Sequence, residues 1–131
     1  MVDITFLILT ILCGAFYDWI FQLEWVFNNK NNMLSKRFIR IYTLHLHSAV
    51  YATLTYLTVS VLIGHGLPLY VWVVLLLSHI FIDSRLPINA ILKLKGIPEE
   101  DYLNCDRYGY LITNVDNRLH ELVIIILAIL V

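Results

Sequence analysis

Two pairs of residues carry the chemistry that this sequence most directly suggests. His79 and Asp83 stand at i and i+4, and Asp116 and His120 repeat the interval with the order reversed. On a helix that interval is one turn, so the members of each pair share a face. If their two helices run antiparallel, the reversal brings both imidazoles to one level and both carboxylates to another. Two imidazoles and two carboxylates form a nitrogen–oxygen donor set suited to a divalent ion such as zinc, manganese or iron. Asp18 and His47 enlarge the set to six, enough for one octahedral ion or a pair of ions. A metal held this way activates bound water and polarises a phosphoryl or acyl oxygen, which is hydrolase chemistry. In that reading His47, His79, Asp83, Asp116 and His120 are the metal ligands, and Asp18 serves as catalytic base or as a further ligand. Lys30 is the second catalytic candidate, neutralising a substrate phosphate, while Gln22 and Asn29 orient ligands or hold an anionic head group. A plainer reading fits the same spacing: a hydrogen-bonded clamp between two helices, worth about 0.6 kcal/mol per pair and up to about 2. His45, two residues from His47, points elsewhere on its helix, and His65 lies in a turn without an assigned role.

The elements that must position these residues are apolar. Of the 131 residues, 60% are hydrophobic and 15% charged, and the mean hydropathy is +0.76. Soluble domains lie near 45–50% apolar and about 25% charged, so the expectation is a single all-α membrane domain spanning residues 1–131. Four apolar runs are visible: Ile4 to Phe21, Ile41 to Ile63, Leu67 to Ile82, and Leu119 to Val131. A spanning helix needs about 20 mostly apolar residues, so the fourth must begin upstream, around Thr113 or Asn114, either of which could cap it. Gly64, Gly66 and Pro68 break the chain between the second and third runs into a helical hairpin. The opening run carries Asp3 rather than a basic segment and reads as a span, not a cleaved signal.

Four crossings divide the loops between two sides. All nine basic residues, Lys30, Lys36, Arg37, Arg40, Arg85, Lys93, Lys95, Arg107 and Arg118, fall on the side that receives the connections 22–40 and 84–118. Short Lys/Arg-rich loops stay in the cytoplasm, so the expected setting is the inner (cytoplasmic) membrane with both termini outside. The six acid and imidazole groups then lie near the cytoplasmic face. Ionisable groups within spans are costly and usually face the bundle interior. The stretch Leu86 to Lys95, with Pro87 near its start and Gly96-Ile-Pro98 after it, suits either a short interfacial helix or a connecting loop. Glu99, Glu100 and Asp101 suit the first turn of another short helix, and together these pieces could roof the site. Two cysteines, Cys13 in an apolar run and Cys105 in a polar stretch, make no disulfide framework, and the basic residues form no nucleic-acid-binding face.

Several of these residues also resemble a known pattern. Asp18-Trp-Ile-Phe-Gln22-Leu-Glu-Trp25 with Asn29-Lys30, His47 with Tyr51, His79-Ile-Phe-Ile-Asp83, and Val115-Asp116-Asn-Arg-Leu-His120 are similar, in order, to four motifs of the prokaryotic membrane proteins grouped as Domain of Unknown Function 3307. The resemblance implies a membrane helical fold and this residue set, but no reaction. Three positions depart from it: Gly14 where a histidine is expected one turn before Asp18, Arg85 in place of a lysine, and Asn117 in place of glutamine.

Three functions remain as expectations. The first is a divalent-metal-dependent hydrolase at the membrane interface, acting on a lipid-linked or phosphorylated substrate, with the lipid bilayer as its setting. The second is a transport or ion-relay subunit using the same Asp/His set, which would require a homo-oligomer because the other half of every run is apolar. The third is a non-catalytic membrane scaffold.

Overall fold

The computed structural model describes residues 3–21, 37–98 and 109–131. These residues form five helices and no strand: α1 (Ile4–Phe21), α2 (Arg37–Leu62), α3 (Leu69–Asp83), α4 (Leu86–Leu94) and α5 (Gly109–Leu130). The fold is all-α. The four longer helices close a ring in which α1 packs on α2, α2 on α3, α3 on α5, and α5 back on α1. At the end of the ring that holds the chain's N-terminus, the Asp3 amide donates to the Ala128 carbonyl at 3.0 Å, so α1 and α5 run antiparallel.

Local chemistry accounts for the ends. The Asp3 carboxylate accepts from the Phe6 amide at 2.9 Å and caps α1. Gly64, at a φ of +77°, takes the left-handed conformation that stops α2, and Pro68 leads into α3. Between α3 and α4, Arg85 takes a φ of +64°, uncommon for a residue with a side chain, and the two helices bend by 53° there. Pro87 stands in the first turn of α4. Gly96, at a φ of +73°, ends it, with its amide and that of Ile97 donating to the carbonyls of Lys93 and Leu92. The segment after Asp83 is therefore a helix rather than a loop.

Inside the ring, Phe6, Ala52, Val59, Val71, Leu75, Leu127 and Ala128 form the main apolar core. Ala52 and Ala128 are fully buried, and their small side chains let backbones approach. Two buried hydroxyls are satisfied within their own helices, Thr10 donating to the Phe6 carbonyl and Ser48 to the Leu44 carbonyl. Others tie helices together. The Tyr17 and Thr58 hydroxyls lie 2.7 Å apart between α1 and α2, and the Trp72 indole donates to Thr53 between α3 and α2.

The outward faces are apolar: Leu12 and Phe16 on α1, Leu57 and Val61 on α2, Leu69 and Leu77 on α3, and Leu122 and Ile129 on α5 are all exposed. Among the described residues, however, no single helix is long and apolar enough to cross a membrane. α1 is apolar but short, and the bent pair α3–α4 qualifies by length and composition. The reason lies in α2 and α5, whose ends nearest the acid and imidazole groups carry polar residues: His45, His47 and Ser48 on α2, and Asp116, Asn117, Arg118, His120 and Glu121 on α5.

Two expected boundaries shift. α5 starts at Gly109, so Thr113 and Asn114 lie inside the helix instead of capping it. The extra turn exists because Ile112 packs against Ile88 and Leu92 of α4, which gives those residues something to bury against. In the same way α2 already runs from Arg37, ahead of the apolar stretch that begins at Ile41.

Candidate metal centre

Each ring helix delivers its polar groups by continuing a buried stripe. On α3 the buried residues Val71, Leu75, His79, Ile82 and Asp83 recur at helical spacing, so the last turns of an apolar stripe become imidazole and carboxylate. On α2, His47 and Tyr51 lie one turn apart and both are buried. On α1, Gly14 and Asp18 extend the line of Phe6 and Thr10. On α5, Asp116 and His120 precede Ile124 and Ala128.

These groups meet. The Asp18 Oδ1 is 2.9 Å from the His47 Nε2, a hydrogen bond between α1 and α2, and 3.8 Å from the His79 Nε2. The Asp83 Oδ2 is 3.3 Å from the His79 Nε2 and 3.7 Å from the His47 Nε2. Its other oxygen faces α5, with Oδ1 3.4 Å from the His120 Nε2, and that nitrogen is also 3.4 Å from the Asp116 Oδ1. Asp83 is thus the hub, sharing its two oxygens among imidazoles from three helices. The His79 ring is sandwiched, stacked on Tyr51 at 3.9 Å with a 21° tilt and 4.5 Å from the His120 ring.

Burial grades outward from the hub. The side chains of His47, His79 and Asp83 are 0%, 1% and 2% exposed, whereas those of Asp18 and Asp116 are 29% and 31% exposed. Among the described residues neither ring nitrogen of His79 has a hydrogen-bond partner, nor has the His47 Nδ1. The 3.3 Å contact from His79 to Asp83 therefore lacks the alignment of a hydrogen bond. Unpaired buried polar atoms are rare and costly, at about 1–3 kcal/mol each.

The spacing itself carries information. Donor atoms bound about 2.1 Å from a tetrahedral ion lie about 3.4 Å from one another. Four contacts among the His79 Nε2, Asp83 Oδ2, His47 Nε2 and Asp18 Oδ1, at 3.3, 3.7, 2.9 and 3.8 Å, lie near that edge, but the donors close up as trios and not as one foursome. Two overlapping trios could each hold an ion, Asp18–His47–His79 and His79–Asp83–His120, with donor atoms within 4.8 Å of one another. The nitrogen–oxygen chemistry suits zinc, manganese or iron.

Of the residues singled out by spacing, Asp18, His47, His79, Asp83, Asp116 and His120 come together, while Gln22, Asn29 and Lys30 lie outside the described residues, as do Glu99, Glu100 and Asp101. His45 points away from the cluster, its Nδ1 2.7 Å from the Ile41 carbonyl of its own helix. No α4 residue lines the cavity beside the centre; α4 packs instead on the first turns of α5. That cavity, about 360 Å³, lies between α1 and α5, and Asp18, Tyr51, His79 and His120 open onto it. Spacing alone did not single out Tyr51, Asn117 or Glu121 as wall residues; the available signal was the one-turn interval from His47 to Tyr51 and from Asn117 to Glu121. Gly14 packs so closely that a Cβ there would come within 2.7 Å of the Tyr51 hydroxyl, which leaves no room for a histidine at that position unless Tyr51 moves. Comparison with protein-family models, curated proteins and solved structures finds no match to this chain.

Proposed function

We propose that this chain is an integral-membrane, divalent-metal-dependent hydrolase whose centre lies near the cytoplasmic face of the inner membrane. The observation that carries the reading is the donor trio of Asp18, His47 and His79, with the Asp83 Oδ2 3.3 Å from the same His79 nitrogen, around a buried imidazole that makes no hydrogen bond among the described residues. A cation there would satisfy His79 and balance two carboxylates that are otherwise costly to bury. When bound, such an ion supplies an activated water and a Lewis acid for a phosphoryl or acyl oxygen.

The chain's own residues would do the rest. His120, on the cavity wall between Asp83 and Asp116, suits proton transfer to and from a substrate at the centre. Asp83 would orient His120 through its Oδ1 while its Oδ2 faces His79 and His47. Lys30, Gln22 and Asn29 complete the proposal as groups for a substrate phosphate. The membrane setting is supported by the exposed apolar faces of all four ring helices, and by the nine basic residues, all of which fall between the first and second or between the third and fourth apolar runs. Six of the residues that resemble Domain of Unknown Function 3307, Asp18, His47, His79, Asp83, Asp116 and His120, meet at the centre, and membership of that family is part of this proposal.

The test is metal analysis of protein purified without chelators, beside His79→Ala and Asp116→Ala. Near-stoichiometric metal is expected in the wild type, none in His79→Ala, and metal without hydrolytic activity in Asp116→Ala. Metal-free wild type overturns the reading. A second reading, a proton relay, is favoured by the unbroken run of contacts from Asp18 through His47, Asp83 and His120 to Asp116. Proton flux into liposomes that Asp18→Asn abolishes would establish it in place of hydrolysis.

A further inference from the structure

The cavity beside the centre has a shape that the metal reading does not require. Its α1 wall runs along Ile11, Gly14, Ala15 and Asp18, with Trp19 beside Asp18, and its α5 wall is Asn117, His120, Glu121 and Ile124. Both sets are spaced i, i+3, i+4, i+7, so each is one stripe of a helix facing the other. Because the helices run antiparallel, the polar ends of the stripes coincide, and so do the apolar ends. Asp18 lies opposite Asn117 and His120, and Ile11 lies toward Ile124. From Asp18 to Ile11 the wall changes from carboxylate to hydrocarbon over about 10 Å.

Small residues keep the cleft open. Gly14 lets the chain sit directly on Tyr51, which forms the floor, and Ala15 is exposed on the rim. The surface flanking the cleft is apolar too: Leu12 and Phe16 on α1 and Leu122 and Ile125 on α5 are exposed. A water-borne ligand would have to cross that surface, whereas a molecule dissolved in hydrocarbon would meet the opening directly.

We infer that the α1–α5 cleft binds an amphiphile bearing an anionic phosphate, its head group against Asp18, His79 and His120 and its hydrocarbon chain along Ile11, Ala15 and Ile124. This rests on the metal reading for its charge, since a cation held by Asp18, His47 and His79 makes the polar end attractive to a phosphate. The hydrocarbon end does not depend on it. Inorganic phosphate shares the head-group chemistry and would use the polar end alone.

The experiment loads the purified full chain in detergent with dioleoyl phosphatidic acid, dioleoyl phosphatidylcholine or inorganic phosphate. Retained ligand is read by native mass spectrometry and metal content is measured on the same samples. Wild type is expected to retain phosphatidic acid at least tenfold over phosphatidylcholine. Ala15→Phe, which fills the apolar end, is expected to reduce that retention at least tenfold with metal content unchanged. Ala15→Ser, which fits, and Leu12→Phe, which adds bulk outside the cleft, are expected to keep it. Equal retention of the two lipids, indifference to Ala15→Phe, or full displacement by millimolar inorganic phosphate overturns the inference. Metal-loaded protein that retains no phosphatidic acid sinks the cleft alone. Metal-free protein whose lipid retention still falls in Ala15→Phe sinks the metal reading and leaves the cleft standing.

Discussion

Replacing Asp83 by asparagine separates a metal centre from a hydrogen-bonded clamp, because the two readings assign its carboxylate different work. The side chain is 2% exposed and lies within 3.3–3.7 Å of three imidazole nitrogens, so asparagine keeps its shape and its capacity to hydrogen bond while removing the charge. In a clamp, the change exchanges charge-assisted hydrogen bonds for neutral ones and costs about 1 kcal/mol whatever the solution contains. In a metal centre, the cost appears only when metal is present. At a free metal concentration a thousandfold above the wild-type Kd, binding stabilises the folded chain by about 4.1 kcal/mol. Loss of a carboxylate ligand should weaken affinity at least as much as the loss of an outer partner, about a hundredfold, leaving about 1.4 kcal/mol at the same concentration. The difference of about 2.7 kcal/mol corresponds to a melting shift of roughly 10 °C for a chain of this size. Thermal unfolding of both proteins, with zinc or manganese and with chelator, reads this directly. Equal metal-induced stabilisation in the two proteins, or none in the wild type, would refute the assignment of Asp83 as a ligand.

Three further outcomes follow from the packing. Gly14→Ala should destabilise the fold by about 1–2 kcal/mol despite alanine's better helix propensity, because the new Cβ pushes the Tyr51 hydroxyl and with it the ring stacked on His79; a chemical denaturation curve at or above the wild-type midpoint would contradict this. Leu92→Ala, at a fully buried side chain in the cluster with Ile88 and Ile112, should cost about 2–4 kcal/mol in the same assay while metal content stays at the wild-type level. For topology, single cysteines placed in a background with Cys13 and Cys105 changed to serine should divide by side. Gly66→Cys should react with an impermeant maleimide in intact cells and Lys93→Cys only after permeabilisation, and the opposite pattern would invert the proposed orientation.

Much of the helical layout was legible along the chain because its causes are local. α1 coincides with the apolar run from Ile4 to Phe21, and Gly64 and Gly96 end their helices where a left-handed residue was wanted. The one-turn pairing of His79 with Asp83 and of Asp116 with His120 follows from helix geometry alone. The first turn of α5 was not legible, since Leu111 and Ile112 pack on Ile88 and Leu92 of α4, which lie earlier in the chain but adjacent in space. The role of Tyr51 was equally hidden. A tyrosine one turn from a histidine reads as packing until a second helix places His79 against its ring.

The amino-acid order by itself determined that the chain is helical, that its ionisable groups sit near the ends of apolar runs, and that two acid–imidazole pairs share helix faces, because turns and caps depend on residues a few positions apart. Only the tertiary structure decided that Asp83 divides its oxygens between neighbouring helices, that Asp18 reaches His47 and His79 while Asp116 reaches His120, and that α1 and α5 leave a cleft between them. Those outcomes depend on how each helix is rotated about its axis. Each residue turns the face by about 100°, and that angle is fixed by side chains meeting across the ring, not by neighbours in sequence.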